Sequence, residues 1–209
     1  MRRNRSKEER GQAHTLESVV GAVLLLTAIA FALQVTIVTP LSASTSSQHI
    51  EGQQRSVAQG VLASAAEEGA LQEAVLYWNN TGSSFHNTST RGFYASGPPD
   101  IQFGNMLSRA FDEEGIAYNV YFTYQSSSSS VNRRPFILQG TPTDNAVSTT
   151  RTIALRNDDR LVDKDGSLDD TTVNETDSFY INNAPSGAAS GLSHGVYNLV
   201  RIEVVAWRI

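Results

Sequence analysis

The chain has 209 residues, a formal net charge of −5 and no cysteine. That length leaves room for one ordinary domain with a real core, and disulfides are excluded as its staples. The acidic balance argues against nucleic acid as a partner, since no basic face is available to neutralise phosphates.

The first eleven residues form a basic leader carrying Arg2, Arg3, Arg5, Lys7 and Arg10. Residues 19–38, VVGAVLLLTAIAFALQVTIV, then run without one charged side chain. A helix rising 1.5 Å per residue needs about twenty such residues to cross a hydrocarbon core of about 30 Å. We therefore expect a transmembrane helix over 12–39. A buried helix of a soluble protein normally keeps a polar face, and here only Thr27, Gln34 and Thr36 interrupt the run. A cleaved secretory signal fits less well, because the run exceeds the usual apolar core of about 7–15 residues. The nearest small-residue site, around Ser42 and Ala43, also has Leu41 where a small residue is wanted. No Lys or Arg follows the run until Arg55, so the basic flank is expected in the cytoplasm and everything from about Pro40 onward outside. After Pro40 eleven Lys and Arg face eighteen Asp and Glu, a balance of −7. An acidic exterior with Lys164 as its sole lysine suits a high-salt milieu, where screening weakens self-repulsion.

Pro40 predicts a stop or kink, with a small-residue hinge over 40–47. A second helical pattern follows over 48–78. Ile50, Val57, Val61, Leu71, Val75 and Trp78 share a face, Glu51, Gln54, Glu67, Glu68 and Glu73 point outward, and Gly52, Gly60 and Gly69 are candidate breaks. Residues 79–99 read as loop. Asp100 is a candidate N-cap for a short helix carrying Ile101, Leu107, Ala110 and Phe111, with Gly115 as its stop. Residues 116–124 alternate cleanly, with Tyr118, Val120 and Phe122 on one face and Ala117, Asn119 and Tyr121 on the other, which predicts a strand. Five serines at 126–130 mark a turn. Shorter strands are expected at 136–138 and 146–155, a polar loop over 156–194 with a short strand at 178–181, and a central buried strand at 196–209. The expected fold class is α+β: a long N-terminal transmembrane helix continuing into a second helix, packed with an antiparallel sheet in an extracellular domain over 48–209.

Candidate chemistry is sparse. Gly191, Ser193 and Gly195 match the G-x-S-x-G nucleophile pattern, but that pattern needs a strand before it, a helix after it and a later histidine, whereas no His follows His194. An anchored hydrolase is thereby the weakest reading and no catalytic residue is assigned. DKDGSLDD offers Asp163, Asp165 and Asp169 as a weak cation candidate. Aligning Gly166 with an EF-hand turn glycine puts Leu161 and Thr172 where acidic ligands are required, so a solvated acidic loop is the better reading. His14, His49, His86 and His194 share no ligand spacing, and no phosphate loop or dinucleotide fingerprint is present, so no metal or cofactor is expected. Asn79, Asn87 and Asn174 head N-x-S/T triplets and are candidate glycosylation sites.

The residues RGQAHTLESVVGAVLLL resemble the class III signal of archaeal type IV pilins and pilin-like proteins. The rest, including GIAYNVYFTY, is similar to uncharacterised pilin-like membrane proteins of salt-loving archaea. The resemblance implies cleavage between Gly11 and Gln12 by a membrane prepilin peptidase, retention of the apolar helix, and a pairing of Glu17 with the new amine of an adjacent subunit. A carboxylate entering lipid is costly unless neutralised, and such a pair would set register between subunits. Glu17 would be the sixth mature residue where the family has the fifth, about 100° further round the helix.

The resulting expectation is a single-pass, externally displayed structural or interaction protein, a pilin-like subunit or accessory of a type IV pilus-like assembly. Its expected partners are the membrane, a prepilin peptidase and pilin-like subunits. The alternative is a monomeric, membrane-tethered binding or accessory domain.

Overall fold

The computed structural model describes the backbone of residues 5–126, 130–181 and 195–208, and the side chains of these except 5–13 and 35–47. Helix α1, Arg5–Glu67, runs through two compact units, 1–49 and 50–209.

In the first unit the stretch His14–Gln34 has a mean hydropathy of 2.3 and none of it is buried. It is long and apolar enough to cross a membrane. Residues 40–47, expected to form a hinge, are helical. Pro40 lacks an N–H and so forfeits one bond of the ladder, which the helix on either side tolerates.

The second unit is built on a four-stranded antiparallel sheet in the order β4-β3-β8-β5. Its strands are β3 (Ile116–Gln125), β4 (Val131–Leu138), β5 (Val147–Arg156) and β8 (Val196–Arg208). The C-terminal strand lies between β3 and β5, which explains its high apolar content. Period-two alternation places Tyr118, Val120 and Phe122 of β3 and Val200, Ile202 and Val204 of β8 in the core, all of them fully buried. The helices α2 (Ala70–Leu76) and α3 (Gln102–Phe111) contribute Leu71, Val75, Phe103, Leu107 and Phe111 to the same core. The unit is thus α+β with antiparallel pairing throughout its three sheets.

Several local expectations shift. The helix does not break at Gly52 or Gly60; it breaks at Gly69, whose φ of 77° only glycine adopts freely, and α2 begins at the next residue. The part of α1 in this unit buries Gln54, Ala58, Leu62 and Ala65, while Val57 is exposed. The stripe is therefore rotated from the one that the larger apolar residues suggested. Small side chains let this helix approach the domain closely, and packing selects shape as well as hydrophobicity. Asp100 is not the cap of α3; Ile101 occupies that position without a side-chain bond, and the Asp100 carboxylate accepts from Asn105 Nδ2 at 3.3 Å.

The loop over 79–99 contains the short hairpin β1 (Trp78–Asn79) and β2 (Ser84–Phe85), and the polar stretch after 156 contains a second, β6 (Arg160–Val162) with β7 (Leu168–Thr172). The expected strand at 178–181 is absent. That segment is held by side-chain bonds instead: Trp78 Nε1 donates to Ser178 O at 3.0 Å, Tyr180 OH to Val75 O at 3.0 Å, and Tyr197 OH to Ile181 O at 2.7 Å. Around it Trp78, Phe85, Phe136 and Tyr180 form an aromatic cluster in which Phe85 meets the other three rings edge-to-face and Trp78 and Tyr180 are tilted, with the Arg134 guanidinium 4.9 Å from the Trp78 ring centre.

Candidate functional site: the apolar helix and an acidic cleft

Within the apolar stretch His14 and Glu17 are the two ionisable residues. One helical turn brings them together, with His14 Nδ1 3.8 Å from Glu17 Oε2. The hydroxyls nearby turn back on the helix: Ser18 Oγ donates to His14 O at 2.8 Å and Thr27 Oγ1 to Val23 O at 2.7 Å. Such bonds satisfy the hydroxyl donors within the helix itself, without water. Gly11 and Gln12 lie in the helical stretch whose side chains are outside the described residues.

In the second unit three adjoining cavities meet around the Asp163–Gly166 turn. The first, about 440 Å³, lies between Tyr77, Tyr94, Pro99, Asn87, Asp100 and Lys164. Its walls are stitched together by Tyr77 OH donating to Lys164 O at 3.0 Å, by Tyr94 OH donating to His86 O, and by a 3.0 Å bond between His86 Nε2 and Val162 O. Burial pushes the Tyr77 phenol up, and the neighbouring Asp100 carboxylate adds to this. The next, also about 440 Å³, is flanked by Glu68, Glu73, Asn105 and Arg109 and shares Asp100 and Asp165 with the first. The third, about 380 Å³, adds Asp158 and Asp159 and shares Glu73 and Gly166 with the second. Burial raises the Glu73 and Asp159 carboxyls above their usual range, opposed at Asp159 by its bond from the Arg156 backbone N–H.

The carboxylates of Asp165, Asp169 and Asp170 in DKDGSLDD are engaged locally. Asp165 Oδ1 accepts from Ser167 Oγ at 2.7 Å and from Ser167 N at 3.1 Å, which holds its carboxyl below the usual value. Asp169 Oδ1 accepts from Thr171 N at 3.0 Å, and Asp170 pairs with Arg160. Asp163 and Asp165 lie in a β-turn closed by Gly166 N–H donating to Asp163 O at 3.0 Å, with Gly166 at a φ of 82°, whereas Asp169 and Asp170 lie in β7. Among the described residues no three His, Asp or Glu side chains converge as metal ligands.

Asn87 and Asn174 are exposed, whereas Asn79 folds its Oδ1 back onto the N–H groups of Thr81 and Gly82 at 3.0 and 2.9 Å. Of the other candidates, His49 is exposed and His86 is buried, while Ser193 and His194 lie outside the described residues. The cleft was not visible in the sequence. Its walls come from four separate segments, and only the turn signal at Gly166 marked one of them.

Fold and site together define a class: a helix fit to span a membrane, joined in sequence to an α+β unit built on a four-stranded antiparallel sheet. The chain belongs to the family of unknown function DUF7288, whose sequence pattern matches residues 10–206. The match takes in the apolar helix as well as the α+β unit, so the two are parts of one family architecture. No curated protein and no solved structure matches the chain.

Proposed function

We propose that this is a single-pass membrane protein that displays its α+β unit outside the cell as a pilin-like structural or interaction subunit, or as an accessory of a type IV pilus-like assembly. The observation that carries the reading is the stretch His14–Gln34, without an ionisable residue after Glu17 and exposed along its whole length, behind a leader with five basic residues. A helix so apolar on every side is costly in water and stable in lipid. In this reading Gly11 and Gln12 flank the cleavage point of a prepilin peptidase, Glu17 is the register residue between subunits, and Asn79, Asn87 and Asn174 are glycan acceptors.

Intact mass and N-terminal sequencing of the membrane-extracted protein test it. A chain beginning at Gln12 is the expected result, and one beginning at Met1 removes processed pilin from consideration. Glu17→Gln should impair incorporation into any assembly, and unchanged assembly counts against the register role. A second reading is a tethered monomeric binding domain, with the open polar cleft beside the Asp163–Gly166 turn as its candidate surface. Recovery of a Met1-starting, monomeric protein from membranes selects that reading.

A further inference from the structure

We propose that His14 is the intramolecular counter-ion of Glu17, so that the cytoplasmic end of the apolar helix neutralises its own carboxylate without a second chain. This rests on the reading of His14–Gln34 as a membrane span. Within those 21 residues the two ionisable side chains are three apart, the spacing that puts them on one helical face. His14 Nδ1 lies 3.8 Å from Glu17 Oε2. Arg10, seven residues before Glu17, is about 10 Å away along the helix axis. Ser18, next to Glu17, spends its hydroxyl proton on the His14 carbonyl.

In water an exposed pair of this kind contributes little. Where the helix enters lipid the balance changes, because a lone carboxylate is costly there and the attraction between the partners is less screened. His14 is thus a positioning residue that lets Glu17 sit at the membrane surface in a chain that has not yet met another. It also sets the competition for assembly, since the amine of a neighbouring subunit has to take the carboxylate away from His14.

The absence of cysteine allows a single spin label to be placed in the full chain. With the protein reconstituted in phosphatidylcholine vesicles, a label at Val20→Cys, one turn beyond Glu17, reports depth as its accessibility to oxygen against a water-soluble nickel complex. His14→Ala should shift that label toward water, as the unpaired carboxylate draws the helix end out. His14→Lys should restore the original depth, and Glu17→Gln should abolish the response to His14→Ala. A label that does not move in His14→Ala overturns the proposal. So does a lysine variant that behaves like the alanine one, or a response to His14→Ala that persists in the Glu17→Gln background. A separate label at Leu25→Cys in the otherwise unaltered protein reads the span itself. If that mid-helix label is open to the nickel complex, the membrane reading falls and takes the counter-ion with it.

Discussion

Two glycines show how differently single residues matter in this fold. Gly104 sits in the first turn of α3, where an added Cβ would lie 1.9 Å from the Pro99 carbonyl oxygen. That contact is with backbone and cannot be relieved by a rotamer change, so the absence of a side chain is what lets the 98–101 segment close onto the helix. Gly60 is helical and exposed, and an added Cβ there meets nothing within 4 Å. Gly104→Ala should therefore destabilise the protein by about 1–3 kcal/mol, while Gly60→Ala should stabilise it by about 0.5–1 kcal/mol by removing backbone freedom from the unfolded chain. Chemical denaturation of both variants under the same conditions checks the contrast in sign. Neither outcome was legible in the sequence, where both glycines stand in helical surroundings.

Among the elements, the central sheet has two faces with different solutions. One packs against helices. On the other, Asn119 is fully buried and clamps the loop after β4: its Oδ1 accepts from Gln139 N at 2.9 Å and Gly140 N at 3.4 Å, and its Nδ2 donates to Gly140 O at 2.9 Å and Tyr121 OH at 3.2 Å. This asparagine links β3 to the loop that leaves β4 and brings Gly140 over Trp207 of β8. Asn119→Ala should cost about 0.5–1.5 kcal/mol for each hydrogen bond lost, since the partners on half-buried Gln139 and exposed Gly140 can turn to water. Amide hydrogen exchange should show the loss of protection at Gln139 and Gly140, and protection unchanged there would remove the clamp from the account. The strand itself was plain from alternation over 116–124, but period-two reading placed Asn119 only on the face opposite Tyr118 and could say nothing of what covers it. Similarly, the polar stretch after 156 hides the hairpin of β6 and β7, since strands of three and five residues are too short to carry a periodic signal.

At the scale of the whole molecule, the aromatic core makes stability sensitive to alkali. Burial raises the phenols of Tyr94, Tyr118 and Tyr180, and pushes Tyr197 up to about 12. Below about pH 10 these tyrosines are protonated in both folded and unfolded chains and favour neither. Above it the unfolded chain loses the protons and the folded one keeps them, so stability falls as pH rises toward the folded values. Each such tyrosine steepens the fall by about 1.4 kcal/mol per pH unit. Tyr197→Phe should flatten the alkaline slope between about pH 10 and 12 while losing the bond to Ile181 O. Denaturation midpoints across that range read the difference, and parallel slopes in the two proteins would contradict it.

Residues acting through composition and period were decided by the sequence alone: the apolar stretch after a basic leader, the alternating strand at 116–124, and the apolar strand at the C-terminus. Each is a property of consecutive side chains, so hydrophobicity and spacing suffice to specify it. The rotation of α1 onto Gln54, Ala58, Leu62 and Ala65, the strand order β4-β3-β8-β5 and the cleft around Gly166 were decided only by tertiary structure. These depend on which surfaces, distant along the chain, fit closely enough to exclude water and satisfy one another's polar groups. No local window of the sequence contains that choice.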